Sequence, residues 1–127
     1  MNLKKLITLL IMVLILSGCV DGDRYNFSGS SENWDVVYVV DVRNWDEQND
    51  TGTIKYIGEK QAPETLDYKI EFTAGSDSGT GKTLDNGVTQ TGGGGCQGCA
   101  VIQKDEEIEV EITWNGQTEN LILTTGK

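Results

Sequence analysis

The segment Gly92-Gly93-Gly94-Gly95-Cys96-Gln97-Gly98-Cys99 is the one stretch of this 127-residue chain whose residue types and spacing invite reactive chemistry. Two thiols three positions apart support four readings. A structural disulfide ranks first, because outside the cytoplasm such a pair closes a ring of roughly four residues, and chain entropy assigns that closure about 2 kcal/mol. Redox exchange ranks second, since Cys-x-x-Cys spacing tunes thiol acidity; a thioredoxin-type site, however, sets its first cysteine at a helix N-terminus, and here four glycines precede Cys96. Metal binding ranks third: thiolates suit Cu(I) or Zn(II), but carboxylates or a second molecule must complete the shell. A pair of inert thiols is the fourth.

The rest of the composition narrows the chemistry further. The chain contains no histidine, which removes the usual general base near neutral pH and the commonest metal ligand, and with them Ser-His-Asp, Cys-His and covalent-haem chemistry. Gly79-Thr80-Gly81-Lys82-Thr83 resembles part of a phosphate loop, but position 76, where that pattern needs glycine, is serine. Asp21, Asp23 and Asn26, or Asp46, Glu47 and Asp50, offer oxygen ligands to a cation without matching the calcium-loop order, so they read first as turn formers and solvated charge. Asn26-Phe27-Ser28 and Asn49-Asp50-Thr51 fit the glycosylation sequon by chance. No cofactor motif and no catalytic motif remains, so the expectation is a non-enzymatic protein, with carboxylate-only catalysis as a third-ranked alternative.

The third cysteine carries a different message. Cys19 closes Leu16-Ser17-Gly18-Cys19 behind a basic Lys4-Lys5 and a stretch, Leu6 to Leu16, that is apolar except for Thr8. This arrangement resembles a bacterial lipoprotein signal with its lipobox. Eleven helical residues span only about 17 Å against a hydrocarbon core of about 30 Å, which argues against a membrane-spanning reading. The resemblance implies that residues 1–18 are cleaved as a signal peptide and that Cys19 carries a diacylglycerol thioether, with an acyl group on the new amine as a further modification. Two or three acyl chains anchor firmly. The expected address is the extracytoplasmic face of the cell membrane; Val20-Asp21 after the cysteine decides nothing between inner and outer membranes.

With residues 1–18 removed, 109 of the 127 remain, enough for one domain with a real core. The signal takes two of the ten basic residues and none of the twenty acidic ones, leaving a net charge of −12. Such a charge disfavours nucleic acid as a partner and leaves cationic peptides, polycations or metal ions as candidates, although a solvated acidic surface accounts for it more simply.

The elements that position these groups read as strands. Residues 20–33 are polar and look like a tether that ends in a short strand around Tyr25 to Phe27. From Trp34 the period becomes two: Trp34, Val36, Tyr38, Val40 and Val42 share one face. Residues 44–52 look like an acidic turn region, Thr53 to Ile57 like the next strand, and Leu66, Tyr68, Ile70 and Phe72 alternate with charged residues. Residues 74–98, rich in Gly, Ser and Thr, predict long loops with one or two short, poorly defined strands, and Ala100 to Gln103 another short strand. Asn115-Gly116 supplies the positive φ pair of a type I′ hairpin, pairing Trp114 with Gln117, Ile112 with Glu119, Val110 with Leu121 and Ile108 with Leu123.

Nothing in the mature chain shows helical periodicity over ten residues. The expected fold is all-β, a small antiparallel immunoglobulin-like β-sandwich over residues 34–127 behind a lipidated cysteine and tether at 19–33, with a small β-barrel as runner-up. Cys96 and Cys99, three apart, cannot bridge its two sheets. Ser31-Glu32-Asn33-Trp34, Ile54 to Gly58, Leu66 to Glu71, Cys96 to Cys99 and Glu107 to Gly116 together resemble small uncharacterised lipoproteins of Gram-positive bacteria; that resemblance supports the address and the β fold and adds no activity. The functional expectation is a membrane-anchored binding or envelope-accessory module with a protein, peptide or envelope partner. The alternative is a redox or metal-handling protein using Cys96 and Cys99. Replacing Cys19 with Ser is expected to shift the protein from the membrane fraction to unprocessed precursor or medium and to abolish palmitate labelling; unchanged labelling would refute the lipobox.

Overall fold

The computed structural model describes residues 22–43, 47–73, 75–97 and 102–126, with side chains left undescribed at 93–97. Eight strands fill this range: β1 (Gly22–Ser30), β2 (Trp34–Arg43), β3 (Glu47–Tyr56), β4 (Thr65–Phe72), β5 (Gly75–Thr83), β6 (Val88–Gln97), β7 (Ile108–Trp114) and β8 (Gln117–Leu123). They form two four-stranded antiparallel sheets, ordered β1-β2-β3-β6 and β5-β4-β7-β8. No helix occurs among the described residues. The fold is an all-β sandwich.

Its core follows from period-two alternation, which puts every second side chain on the same face of a strand. Trp34, Val36, Tyr38, Val40 and Val42 of β2 are buried, and they meet Leu66, Tyr68 and Ile70 of β4 and Ile108, Val110 and Ile112 of β7 in one cluster. The β7–β8 hairpin has the expected register throughout, from Trp114↔Gln117 to Ile108↔Leu123, with φ of 47° at Asn115 and 75° at Gly116. Leu121 and Leu123 complete its buried face.

Four expectations are corrected. The polar stretch expected as a tether is, from Gly22 to Ser30, a nine-residue strand paired along its whole length with β2, so the sandwich begins at Gly22 rather than at Trp34. Phe27 is its inward anchor, fully buried, with Tyr25 packed at the core's margin; one solvated face explains the polar composition. The acidic region 44–52 contributes residues 47–52 to a ten-residue β3 that begins at Glu47. Residues 74–98 hold two well-paired strands, β5 and β6, whose weak intrinsic preference is overridden by ladders to β4 and β3. Ile102 and Gln103 are not strand residues.

The strand order also departs from the immunoglobulin arrangement, in which the second strand lies between the first and the fifth. Here β2 lies between β1 and β3. Only three residues separate Arg43 from Glu47, a connection that suits a hairpin within one sheet rather than a crossing to the other. The sheets are stitched at one edge, where Ser28 and Thr124 exchange backbone hydrogen bonds of 2.9 and 3.1 Å between β1 and the end of β8. Gly29 permits this approach: a Cβ there would collide with the backbone oxygen of Ile122.

Gly29→Ala is expected to destabilise the domain by about 1–3 kcal/mol through overpacking against backbone, and Gly116→Val by about 1–2 kcal/mol through the left-handed φ. Each kilocalorie lowers the melting temperature by about 4–8 °C in a domain of this size. Thermal melts that superimpose on the parent would refute the β1–β8 stitch and the hairpin respectively.

Candidate functional site

The antiparallel register gives the sandwich two distinct ends. Gly22, Arg43, Glu47 and Gln97 share one end of the first sheet. At the other end lie the β1–β2 turn, the segment that follows β3 and the β7–β8 hairpin. Nine strand residues at about 3.3 Å each separate the two by roughly 30 Å.

The far end is built on an aromatic trio. Trp34 is fully buried and meets Tyr56 edge-on with ring centroids 5.1 Å apart and Trp114 likewise at 5.3 Å. Such edge-to-face contacts contribute about 0.5–1.5 kcal/mol each beyond area burial. The Trp34 indole N–H has no hydrogen-bond partner. Above the trio, Glu119 on β8 reaches across to the β1–β2 turn of the other sheet: its carboxylate accepts hydrogen bonds from the Ser31 hydroxyl at 2.6 Å, the Asn33 backbone N–H at 3.0 Å and the Asn33 side-chain amide. Ile57 N–H donates to the Asn33 carbonyl at 2.8 Å, and Tyr56 N–H to the Gly87 carbonyl at 2.8 Å. The loops of this end are therefore tied to one another.

Between them runs a groove of about 490 Å³ lined by Asn33, Tyr56, Ile57, Lys60, Gln61, Trp114, Asn115, Gln117 and the carboxylates of Glu32, Glu59 and Glu119. Ile57 is 46% exposed there, an apolar side chain presented to solvent. Three carboxylates against one ammonium make the groove electronegative. Amide, carboxylate and aromatic groups together can hydrogen-bond and pack against a polar ligand of neutral or positive charge. A second, larger concavity of about 580 Å³ lies on the outward face of β4, β7 and β8, among Lys69, Glu71, Glu109, Glu111 and Ile122. Its Lys69–Glu71 ion pair, 2.8 Å long, is about half exposed, and the surface is formed by one sheet alone. The end groove draws on both sheets and carries an aromatic floor, which favours it as the site.

The residues singled out in the sequence do not gather there. Cys96 lies within β6, paired with Gln48 of β3, rather than at the helix N-terminus of a thioredoxin-type site; Cys19 and Cys99 lie outside the described residues. Both flanks of the cysteine segment converge on Gln48, a buried side chain whose Oε1 accepts the Ile102 backbone N–H at 2.7 Å. Gly79 to Thr83 is strand, with Gly81 at a β-bulge where its N–H donates to Asp67 at 2.8 Å, so it forms no phosphate loop. Asp23 and Asn26 lie on β1, Glu47 and Asp50 on β3, while Asp21 and Asp46 lie outside the described residues. Among the described residues, no three Cys, Asp or Glu side chains group as metal ligands. Periodicity could not have found the groove, because Asn33, Ile57 and Glu119 come together only through cross-sheet packing.

No family model, curated protein or solved structure matches this chain in sequence or fold comparison. Among the described residues, no helix is long and apolar enough to cross a membrane.

Burial by itself would raise the Glu119 carboxyl, but the hydrogen bonds from Ser31 and Asn33 outweigh it and hold the group below the ordinary value of 4.5. The folded state thus favours the carboxylate, and its contribution is present above the usual carboxylate range and is lost as pH falls through it. Glu119→Gln is expected to destabilise by about 1 kcal/mol near pH 7, with the gap to the parent closing below about pH 4. A gap that stays constant from pH 7 to pH 3 in urea titrations would contradict the clamp.

Proposed function

We propose that this protein is an extracytoplasmic lipoprotein held at the membrane through Cys19, whose β-sandwich presents the groove at the far end of its strands to a soluble or envelope partner. The observation that carries this reading is the position of the groove relative to the chain's entry into the fold. Cys19 stands three residues before Gly22, and three residues reach at most about 11 Å, so an acylated Cys19 would hold the Gly22 end close to the lipid surface. The groove lies roughly 30 Å further along the strands, so such an anchor would leave it facing away from the lipid. Its amides, carboxylates and exposed Ile57 suit binding rather than catalysis, and its charge suits a neutral or cationic partner such as a basic peptide segment.

Redox or metal handling by Cys96 and Cys99 is the second reading. It would operate near the membrane, since Cys96 shares its register row with Gln48, Val42 and Asp23. A disulfide between the pair, the first-ranked sequence reading, would pin the segment between β6 and Ile102.

A photo-crosslinking residue placed at Ile57 in the intact, membrane-bound protein is expected to give a discrete adduct on whole cells, and the same residue at Val37, on the outer face of the first sheet, none. Equal labelling from both positions, or none from Ile57, would remove the groove from consideration. Free-thiol titration of the same preparation separates the second reading, for which the cysteines must be reduced and reactive.

A further inference from the structure

The dipeptide Asn-Gly occurs twice in the chain, at Asn86-Gly87 and Asn115-Gly116, and each pair is the two-residue loop of a tight turn. The two backbones are nearly the same, with φ of 52° and 78° in the first pair and 47° and 75° in the second. Asparagine is a chemically labile residue, and a following glycine, having no Cβ, leaves its own backbone nitrogen unshielded from the asparagine side-chain amide. In the left-handed region, however, that nitrogen lies across the Cα–C bond from the asparagine Cβ, turned away from the carbonyl carbon it would attack. Each turn therefore acts as a lock, and reaction waits on its opening.

The two locks are unequal. Around the first, Asp85 and Val88 exchange backbone hydrogen bonds of 2.9 and 3.0 Å, and the Gly87 carbonyl accepts the Tyr56 N–H at 2.8 Å. Gly87 is also packed: a Cβ there would touch the side chains of Ala62 and Tyr56 at 3.6 and 3.7 Å. Opening this turn breaks a tie to another strand as well as the turn itself. The second lock stands clear of the molecule. Asn115, Gly116, Gln117 and Thr118 are all exposed, and a Cβ on Gly116 would meet nothing within 4 Å. Trp114 pairs with Gln117 to close the loop, and among the described residues no backbone hydrogen bond from outside the hairpin reaches Asn115 or Gly116. Local opening is easiest where such ties are fewest.

We propose that Asn115 is a self-modifying residue of the far-end groove. When the hairpin tip opens, the Gly116 backbone nitrogen attacks the carbonyl carbon of the Asn115 side chain. A new C–N bond forms, the bond to the side-chain nitrogen breaks, and that nitrogen leaves as ammonia with the Gly116 amide proton. Water then opens the cyclic imide at either of its carbonyls, leaving aspartate or isoaspartate at position 115. The reaction consumes only water, and Asn86 is spared by its tighter lock. Asn115 lines the groove, where Glu32, Glu59 and Glu119 already face Lys60, so the product adds a further negative charge. Isoaspartate also inserts a methylene into the main chain of a two-residue loop whose length fixes the hairpin register. Conversion would thus raise the preference of the groove for a cationic partner as the protein ages. The chemistry holds whatever the groove binds; only this last effect rests on the proposed function.

The test is incubation of the purified full chain in mildly alkaline, heavy-oxygen water, folded and in urea, followed by peptide mass mapping of label uptake at both asparagines. In the folded chain Asn115 is expected to convert at least about tenfold faster than Asn86, the ratio that the additional hydrogen bond and packing at Gly87 support. In urea, where neither lock exists, the ratio should fall toward unity. A folded ratio no greater than the urea ratio, or no conversion of Asn115 in the folded chain, overturns the proposal. The effect on the groove is read separately with Asn115→Asp, a variant that fixes one product and that the left-handed turn tolerates. Combined with the photo-crosslinking residue at Ile57, it should raise the yield of adduct with a cationic partner; an unchanged yield removes the charge effect and leaves the modification standing. Absence of any adduct from Ile57 in the parent counts against the groove reading alone, because the mass mapping does not depend on it.

Discussion

The structure depends on one constraint: β2 must bury every second side chain against a sheet that is not its own. Trp34, Val36, Tyr38, Val40 and Val42 present a continuous apolar stripe that no hairpin partner can cover, because hydrogen-bonded neighbours lie beside a strand and not over its face. The second sheet supplies the cover. Its own alternating strands, β4 and β7, bring Leu66, Ile70, Ile108 and Ile112 down onto that stripe, and the two sheets become a single core. Everything weaker is organised by this contact. Strands β1, β5 and β6, which have few apolar residues of their own, hold their places as paired neighbours of strands that do.

That division of labour also leaves the interior uneven. On the side where β1 meets β8, the filling is apolar and the edges are joined by backbone hydrogen bonds. On the side where β5 and β6 approach, the inward positions are Asp50, Asp77, Thr89, Thr91 and Gln48, with tyrosine rings bridging to glycines. A buried hydroxyl without a partner is costly, about 1–3 kcal/mol, and Thr91 Oγ1, packed against Gly52 at this edge, is one. Gln48 shows the alternative treatment of a buried polar group: its carbonyl oxygen accepts the Ile102 N–H, and the segment carrying the cysteine pair returns to the sandwich at that point.

The end groove has the same origin as the core. Three loops meet there because the strands of the two sheets end together, and Glu119 ties one sheet's turn to the other sheet's hairpin. Tyr56 and Trp114 pack on the buried Trp34 on one side and line the groove on the other, so a ligand bound there would press on residues that also stabilise the domain. A site that shares side chains with the core is held rigid by it, which limits the entropy lost on binding.

Much of this was legible in the amino-acid sequence. The alternation of β2, β4 and β7 and the Asn115-Gly116 turn determined an antiparallel sandwich, including a hairpin register that matches residue for residue, because strand periodicity and turn chemistry are local properties. Strands β1, β5 and β6 were legible only as short, poorly defined pieces, and their full length was not: Gly, Ser, Thr and Asp read as loop unless the partner strand is known, and pairing is a property of two segments at once. Only the tertiary structure decided the strand order, the β1–β8 stitch through Gly29, and the neighbours of Asp50, Asp77, Thr91 and Glu119. The physical reason is separation along the chain. Ser31 and Glu119 stand 88 residues apart, and no periodicity within either segment encodes the hydrogen bond that joins them.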